Sequence, residues 1–315
     1  MIDFHSHILP GIDDGSRNLE QSIYMVNEAK NVGFTKIIST SHYMENYYEC
    51  NEQERKRLLK EVQDSVDGIE LYLGNEIYIT NNMIDLLKNG QASSINNTRY
   101  VLFEFPLINT KPMNDKEVIY RLIENGYIPI IAHPERYPFV QENPDYLFEL
   151  EEMGALFQAN FGSIIGMYGG KAKKTLKILL KNNLISFFGS DVHKPEQVYN
   201  KIPKIIKKLK KVISDEEFIE FTEINPQKVL NNEDIISMCF TMTKDLDAVY
   251  PAVAVREILD IHDIPMLNYE EKHIQGSLSK CIRVMMYINT EKTKADIKHI
   301  YLNNAKNLRK DLINK

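Results

Sequence analysis

Short apolar runs alternate with helical stretches from the first residues onward. IDFH is followed by NLEQSIYMVNEAKNVG, whose apolar positions recur at helical spacing up to Gly33, and then by TKIISTSHY, so the opening reads strand, helix, strand. The alternation continues through a helix predicted over Gln53–Val66, strands in IELYLGNEIYI and RYVLFEFP, and a helix over Asp115–Glu124 closed by Gly126. YIPIIAHPERY, a helix before Gly154, ALFQAN, a helix over Lys171–Lys181 and LISFFGSDVH follow. Strands that return after helices and end in polar residues predict a parallel sheet or a (β/α) barrel, with a site at the strands' carboxyl ends. After Pro226 the rhythm changes. Turn chemistry at Asn231 and Asn232 precedes ISMCFTMT, a short helix over Ala252–Leu259, IPMLN, CIRVMMYINT and ADIKHIYLNNAKNLRK, a small α/β unit with its boundary predicted near residue 233.

With 315 residues, 43% hydrophobic and 26% charged, the chain has the apolar material for sizeable cores. Its formal charge of -6 argues against a nucleic-acid binder, which usually carries a basic surplus. The one basic run, Lys204 to Lys211, has apolar spacing that reads as the solvated face of a helix. No basic-then-apolar leader pattern and no run of about 18 apolar residues occurs, so a cytoplasmic location without membrane insertion is expected. Cys50, Cys239 and Cys281 are too scattered for a disulfide framework or a thiolate zinc site. None begins the C-x5-R pattern of a cysteine-dependent phosphatase; after Cys50 the arginine, Arg55, comes one residue early.

Five of the eight histidines fall at or just after candidate strands: His5, His7, His42, His133 and His193. Carboxylates hold equivalent places at Asp13, Asp14, Glu76, Glu104 and Asp191. On a strand, H-x-H puts both imidazoles on one face, able to grip a single ion, and D-x-H does the same with a harder ligand. Taken singly, Glu104 reads as an edge charge, His42 as a satisfied polar residue, and the two aspartates as turn residues before Gly15. Taken together, burying Glu76, Glu104 and Asp191 near one another without cations would cost several kcal/mol. A mixed imidazole and carboxylate set without thiolate suits Mn²⁺, Fe²⁺, Zn²⁺ or Co²⁺ rather than a structural zinc.

MIDFHSHILPGIDDG, STSHY, GNEIYI, LFEFP, IAHPERY and GSDVH resemble, in order, the motifs of the PHP superfamily. They are most similar to the bacterial manganese-dependent protein-tyrosine phosphatases encoded with capsule and exopolysaccharide genes, over residues 1 to about 230. The resemblance implies a distorted (β/α)7 barrel over 1–232 with two or three divalent ions at its mouth. By motif the ligands would be His5, His7, Asp14, His42, Glu76, Glu104, His133, Asp191 and His193, with Glu76 bridging, Arg136 the phosphate contact, and Asp13 only a turn residue. The implied reaction is attack of a metal-bound hydroxide on phosphotyrosine of a protein, a tyrosine autokinase of polysaccharide export, with His193 or Asp14 serving the leaving phenolate. Another phosphoesterase activity of the superfamily, such as histidinol phosphatase, is the alternative. Such enzymes tend to carry an arginine shortly after D-x-H, where this chain has Lys194 and Lys201.

In the carboxyl-terminal part, Arg283 inside CIRVMMYI reads either as an edge cation or as part of a pocket for a dianion. DAVYPAVAVRE, IPMLNYEEKHIQGSLSKCIRVMMYINT and IKHIYLNNAKNLRKDL closely resemble the trimeric chorismate mutase of bacilli, so 233–315 is expected to form a partial mutase-like unit. The resemblance implies that Arg283 faces the breaking ether oxygen and Glu271 meets the substrate hydroxyl. Tyr250, Arg256, Cys281, Tyr301, Leu308 and Arg309 would be further pocket residues. The family's first strand and first helix are missing, with an arginine on that strand, and Asn268 replaces a cysteine. Two readings follow, turnover of chorismate to prephenate or a module that trimerises the chain.

Overall fold

The computed structural model describes residues 1–230, 234–259, 264–290, 293, 297 and 299–308. It divides into a unit over Met1–Leu230 and a second over Asn231–Lys315. In the first, nine parallel strands carry the site: β1 (Ile2–Ser6), β2 (Lys36–Ser39), β3 (His42–Tyr43), β4 (Glu70–Leu73), β5 (Glu76–Tyr78), β6 (Tyr100–Glu104), β7 (Ile128–Ala132), β8 (Leu156–Asn160) and β9 (Phe187–Gly189). They pair as β1-β2-β4 and β3-β5-β6-β7-β8-β9, and a parallel bridge between Ser6 and Val192 brings the chain leaving β9 back beside β1. TKIISTSHY and IELYLGNEIYI, expected as single strands, are each broken in two. Counting each broken pair as one stave gives a distorted seven-stave barrel.

The break has a visible cause. Gly74 lets Ile95 approach so closely that a Cβ there would lie 2.6 Å from Ile95 Cδ1. Next to it, the buried Asn75 amide donates to the Ser41 carbonyl at 2.8 Å and accepts from the Ser93 N–H at 2.9 Å. Both staves are thereby tied where they leave the regular ladder.

Helices cover the outside, and their caps follow the local sequence. Asn18 accepts from the Gln21 N–H to start Leu19–Asn31, and Asn51 accepts from the Glu54 N–H to start Glu52–Gln63. The basic run lies on the helix Ile202–Leu209, which buries Ile202, Ile205 and Leu209 and leaves Lys204, Lys207 and Lys208 exposed. Ile2, Phe4, Ile38, Leu102, Ile130, Ala132 and Phe187 form one buried cluster with Val229 and Leu230, and the Phe4 and Phe187 rings stack at 4.2 Å. Leu102 is two residues before Glu104 on the same strand face, so this apolar layer supports the site above it.

The second unit is a three-stranded sheet of order β11-β10-β12, from β10 (Asp234–Met242), β11 (Met266–Glu270) and β12 (Ile282–Asn289). β11 runs parallel to β10 and β12 antiparallel to it. The helix Pro251–Leu259 lays Ala252 and Val255 on Met238 and Phe240, while Ile282, Val284 and Met286 stay exposed. Among the described residues, no helix is long and apolar enough to cross a membrane.

Candidate metal centre

All nine residues named as ligands converge at the carboxyl ends of the barrel strands. Three groups of donor atoms each lie within 4.8 Å of one another: His7, Asp14, His42 and His193; His5, His7, Glu76 and Asp191; His42, Glu76 and Glu104. His133 joins them, its Nε2 2.9 Å from Glu76 Oε1 and 3.8 Å from Glu104 Oε2.

Each element aims its ligand by a definite device. β1 shifts register against β2 between Asp3 and Ser6; Phe4 there packs in the apolar cluster while His5 and His7 bring their Nε2 atoms within 3.1 Å of each other. β7 and β9 end by turning sharply, and His133 and Asp191 both adopt left-handed backbone, at φ 35° and 52°. Such conformations cost on the order of 1–3 kcal/mol each in non-glycine residues and persist where surrounding contacts hold them.

Those contacts include residues outside the expected set. Asp13 is a turn residue, as its bond from the Gly15 N–H at 2.9 Å shows, but it is not only that. Its other oxygen accepts from His7 Nδ1–H at 2.9 Å and from the His42 N–H at 2.9 Å, fixing the ring of the first histidine and the backbone of the second. Gln158 Oε1 accepts from His5 Nδ1–H at 2.7 Å, and Asn160 Nδ2–H donates to Asp191 Oδ2 at 2.8 Å. Buried Glu135 ties the turn after His133 to β8 by accepting from the Asn160 N–H and the Ser163 hydroxyl.

The donor set fits divalent ions. With Nδ1 committed to Asp13 and Gln158 respectively, His7 and His5 each have only Nε2 to offer. Those two nitrogens lie 3.4 and 3.1 Å from Glu76 Oε2, a spacing that suits ligands sharing an ion at bonds of about 2.1 Å. Glu76 turns Oε2 toward His5, His7 and His42 and Oε1 toward His133, so its carboxylate can serve two ions. His133 Nδ1 is buried without a hydrogen-bond partner among the described residues. Burial alone would raise the Glu76 carboxyl, yet the charges of His5 and His42 and bonds from His133 and His5 hold it well below the usual range. Burial likewise opposes charge on His42, but Glu76 and Glu104 push its imidazole up to about 9. Protons on the imidazoles thus answer the same negative charge that a metal ion would, and the two compete.

Arg136 stands at the edge of this cluster, its guanidinium donating to Asp191 and lying 4.5 Å over the Tyr168 ring. Lys194 is exposed, and Lys201 donates to the Gln197 carbonyl, so Arg136 is the cation found against a ligand here. Close packing leaves no room beneath the site: a Cβ on Gly189 would lie 2.4 Å from His5 Cβ and 2.8 Å from its backbone nitrogen. Gly189→Ala is therefore expected to displace His5 and lower metal content and melting temperature together, as read by elemental analysis and calorimetry.

In the second unit, Arg283 on β12 pairs with Glu271, just past β11, and the same carboxylate accepts from the hydroxyl of Thr241 on the strand between them. Cys281 is buried just before Arg283, and Glu271 lines a cavity of about 350 Å³ with Thr243, Lys244, Lys272 and His273. Asn268 accepts from the Ala252 N–H at the start of the helix. Tyr250 is exposed ahead of that helix, Arg256 lies within it, and Tyr301 precedes the short turn Asn303–Leu308. Among the described residues, no hydrogen bond joins these three to the Glu271–Arg283 pair. Arg309 lies outside the described residues, as does the Leu308 side chain.

A parallel barrel with imidazoles and carboxylates gathered at its strand ends could hold metal ions in the manner of a metal-dependent hydrolase. Residues 1–231 match the family described as capsular polysaccharide synthesis, CpsB/CapC, and the chain belongs to it. The tyrosine-protein phosphatase YwqE of Bacillus subtilis is 39% identical over 203 residues, covering 61% of this chain and 77% of that protein. Crystal structures of YwqE and of CpsB from Streptococcus pneumoniae, described as unique metal-dependent tyrosine phosphatases, include one that matches with a TM-score of 0.66 at 34% identity, covering 74% of this chain and 95% of its own. Residues 204–312 match the family chorismate mutase type I, and the chorismate mutase AroH of Bacillus subtilis is 38% identical over 104 residues, 31% of this chain and 82% of AroH. The two family matches overlap at 204–231, and over residues 204–230 the structure folds helices of the barrel unit.

Proposed function

We propose that residues 1–232 form a metal-dependent phosphatase that hydrolyses phosphotyrosine on a protein, a tyrosine kinase of capsule or exopolysaccharide export in the cytoplasm. The observation that carries this reading is the convergence of His5, His7, Asp14, His42, Glu76, Glu104, His133, Asp191 and His193 at one barrel mouth beside Arg136. Divalent ions held by these nine residues, manganese first among them, would supply an acidified water and positive charge for the phosphoryl oxygens. Glu76 would bridge, and Asp13 and Gln158 would keep His7 and His5 presenting Nε2. Arg136, its guanidinium oriented by Asp191 and Tyr168, would bind phosphoryl oxygens. Asp14 and His193 stand at the exposed edge with Oδ1 and Nε2 3.4 Å apart. The His193 hydrogen bond holds the Asp14 carboxyl below its ordinary range, and His193 or Asp14 would serve the leaving phenolate. A phenolate, with pKa near 10, needs little such help. Manganese-loaded protein should release phosphate from phosphotyrosine peptides. Protein that leaves them intact but hydrolyses histidinol phosphate would overturn the substrate in favour of another phosphoesterase activity.

A second reading concerns residues 233–315. The exposed apolar face of Ile282, Val284 and Met286 supports an assembly module, and the mutase resemblance makes the assembly a homotrimer. Light scattering should find a trimer that becomes smaller when residues 234–315 are deleted; a monomeric full-length chain would contradict it.

A further inference from the structure

The mouth of the barrel carries an aromatic wall that neither the ligand set nor Arg136 accounts for. The Tyr48 ring lies against the His42 imidazole, with centroids 5.8 Å apart and planes 17° from parallel. Residues 44–48 are a tight turn that holds it there. Met44 N–H donates to the Tyr48 carbonyl at 3.0 Å and Tyr48 N–H donates to the Met44 carbonyl at 2.8 Å. Asn46 takes the left-handed backbone the turn needs, at φ 66°, with its N–H bound to the Glu49 carboxylate at 2.7 Å. Of the two adjacent rings, Tyr47 is 75% exposed and turned to solvent, whereas Tyr48 is half-buried on a ligand.

Tyr48 sits on the side from which a substrate must come. His5, His7 and Glu76 are fully buried, while the side chains of Asp14, His42 and His193 are 55%, 16% and 17% exposed. A phosphoester therefore approaches over Asp14, His42 and His193, and the group attached to its bridging oxygen comes within reach of the ring stacked on His42. Arg136 serves a different residue of the cluster, Asp191, so its charge and the Tyr48 ring stand at different members of the cluster.

We propose that Tyr48 determines specificity for phosphoesters of an aromatic alcohol, by packing its ring against the substrate's ring; the inference rests on the phosphatase reading above. Ring pairs with centroids about 4.5–7 Å apart attract beyond their buried area, and an alkyl phosphate offers no ring to pair. The hydroxyl of Tyr48 has no part in this, so phenylalanine serves equally.

The test compares phenylphosphonate with methylphosphonate as competitive inhibitors of phosphotyrosine-peptide hydrolysis by the manganese-loaded full chain. The two phosphonates share the phosphoryl group, and one carries a phenyl ring where the other carries a methyl. Tyr48→Leu, which keeps bulk against His42, is expected to cut the preference for phenylphosphonate by roughly 2- to 10-fold, the range one aromatic pair supplies. Tyr48→Phe and Tyr47→Ala should keep the preference, and metal content should stay at the wild-type level in all three. An unchanged preference in Tyr48→Leu overturns the inference, whether or not overall activity or metal content falls, and so does its loss in Tyr48→Phe. Wild-type protein that hydrolyses no phosphotyrosine peptide brings down the phosphatase reading itself and the inference with it.

Discussion

Glu76→Gln is expected to abolish metal retention and lower phosphotyrosine hydrolysis by roughly 1,000-fold or more, since metal ions contribute several kcal/mol of charge stabilisation in such reactions. Among the described residues, Glu76 is the one carboxylate whose two oxygens reach four imidazoles, Oε2 at 3.1, 3.4 and 3.2 Å from His5, His7 and His42 and Oε1 at 2.9 Å from His133. An amide keeps the shape but removes the charge and turns N–H groups toward ring nitrogens. The metal-free fold should suffer too. Removing one partner of a buried ion pair costs about 3–5 kcal/mol, because the remaining charges lose their counterpart. Metal analysis, steady-state kinetics and calorimetry on the variant read the three effects separately. A variant with full metal content and near wild-type activity would remove Glu76 from the centre.

Arg136→Ala is expected to behave differently: metal content intact, kcat/KM lowered about 10- to 150-fold, the range for losing a charge-assisted hydrogen bond of about 1.5–3 kcal/mol. The guanidinium is held in place from two sides, by Asp191 and by the Tyr168 ring, and its side chain keeps enough exposure to meet a phosphoryl oxygen. Arg136→Lys should recover only part of the loss, since an ammonium lacks the planar fork and stacks less well on Tyr168. Kinetics together with elemental analysis checks this. Loss of metal in Arg136→Ala would mean that the residue supports Asp191 and does not contact phosphate.

That these side chains gather was legible in part: H-x-H and D-x-H put His5 with His7, and Asp191 with His193, on one strand face, whereas the full set with Glu76 and Glu104 came from the motif resemblance. What orients them was not legible. Asp13 satisfies the local turn with one oxygen, and nothing local reveals that the other reaches His7, six residues away in sequence, and the backbone of His42. Gln158 lies 153 positions from the ring it fixes. Left-handed backbone is uncommon outside glycine, though Asp and His adopt it more readily than most, and no local pattern announces it at His133 and Asp191. The broken staves have a similar reason: IELYLGNEIYI alternates well enough for one strand, and what interrupts it is the approach of Ile95 to Gly74 and the Asn75 bonds to Ser41 and Ser93, all made to residues distant in sequence. Tyr48 lies in a turn without hydrophobic period, so pattern gave it no meaning.

The most direct test of the central claim is phosphotyrosine-peptide hydrolysis by the full chain before chelation, after removal of bound metal, and after manganese is restored, with metal counted at each stage. Two or three ions per chain are expected, with activity lost when they are removed and regained when they are restored. Full activity in metal-free protein, or a chain that binds no divalent ion at this cluster, would contradict it.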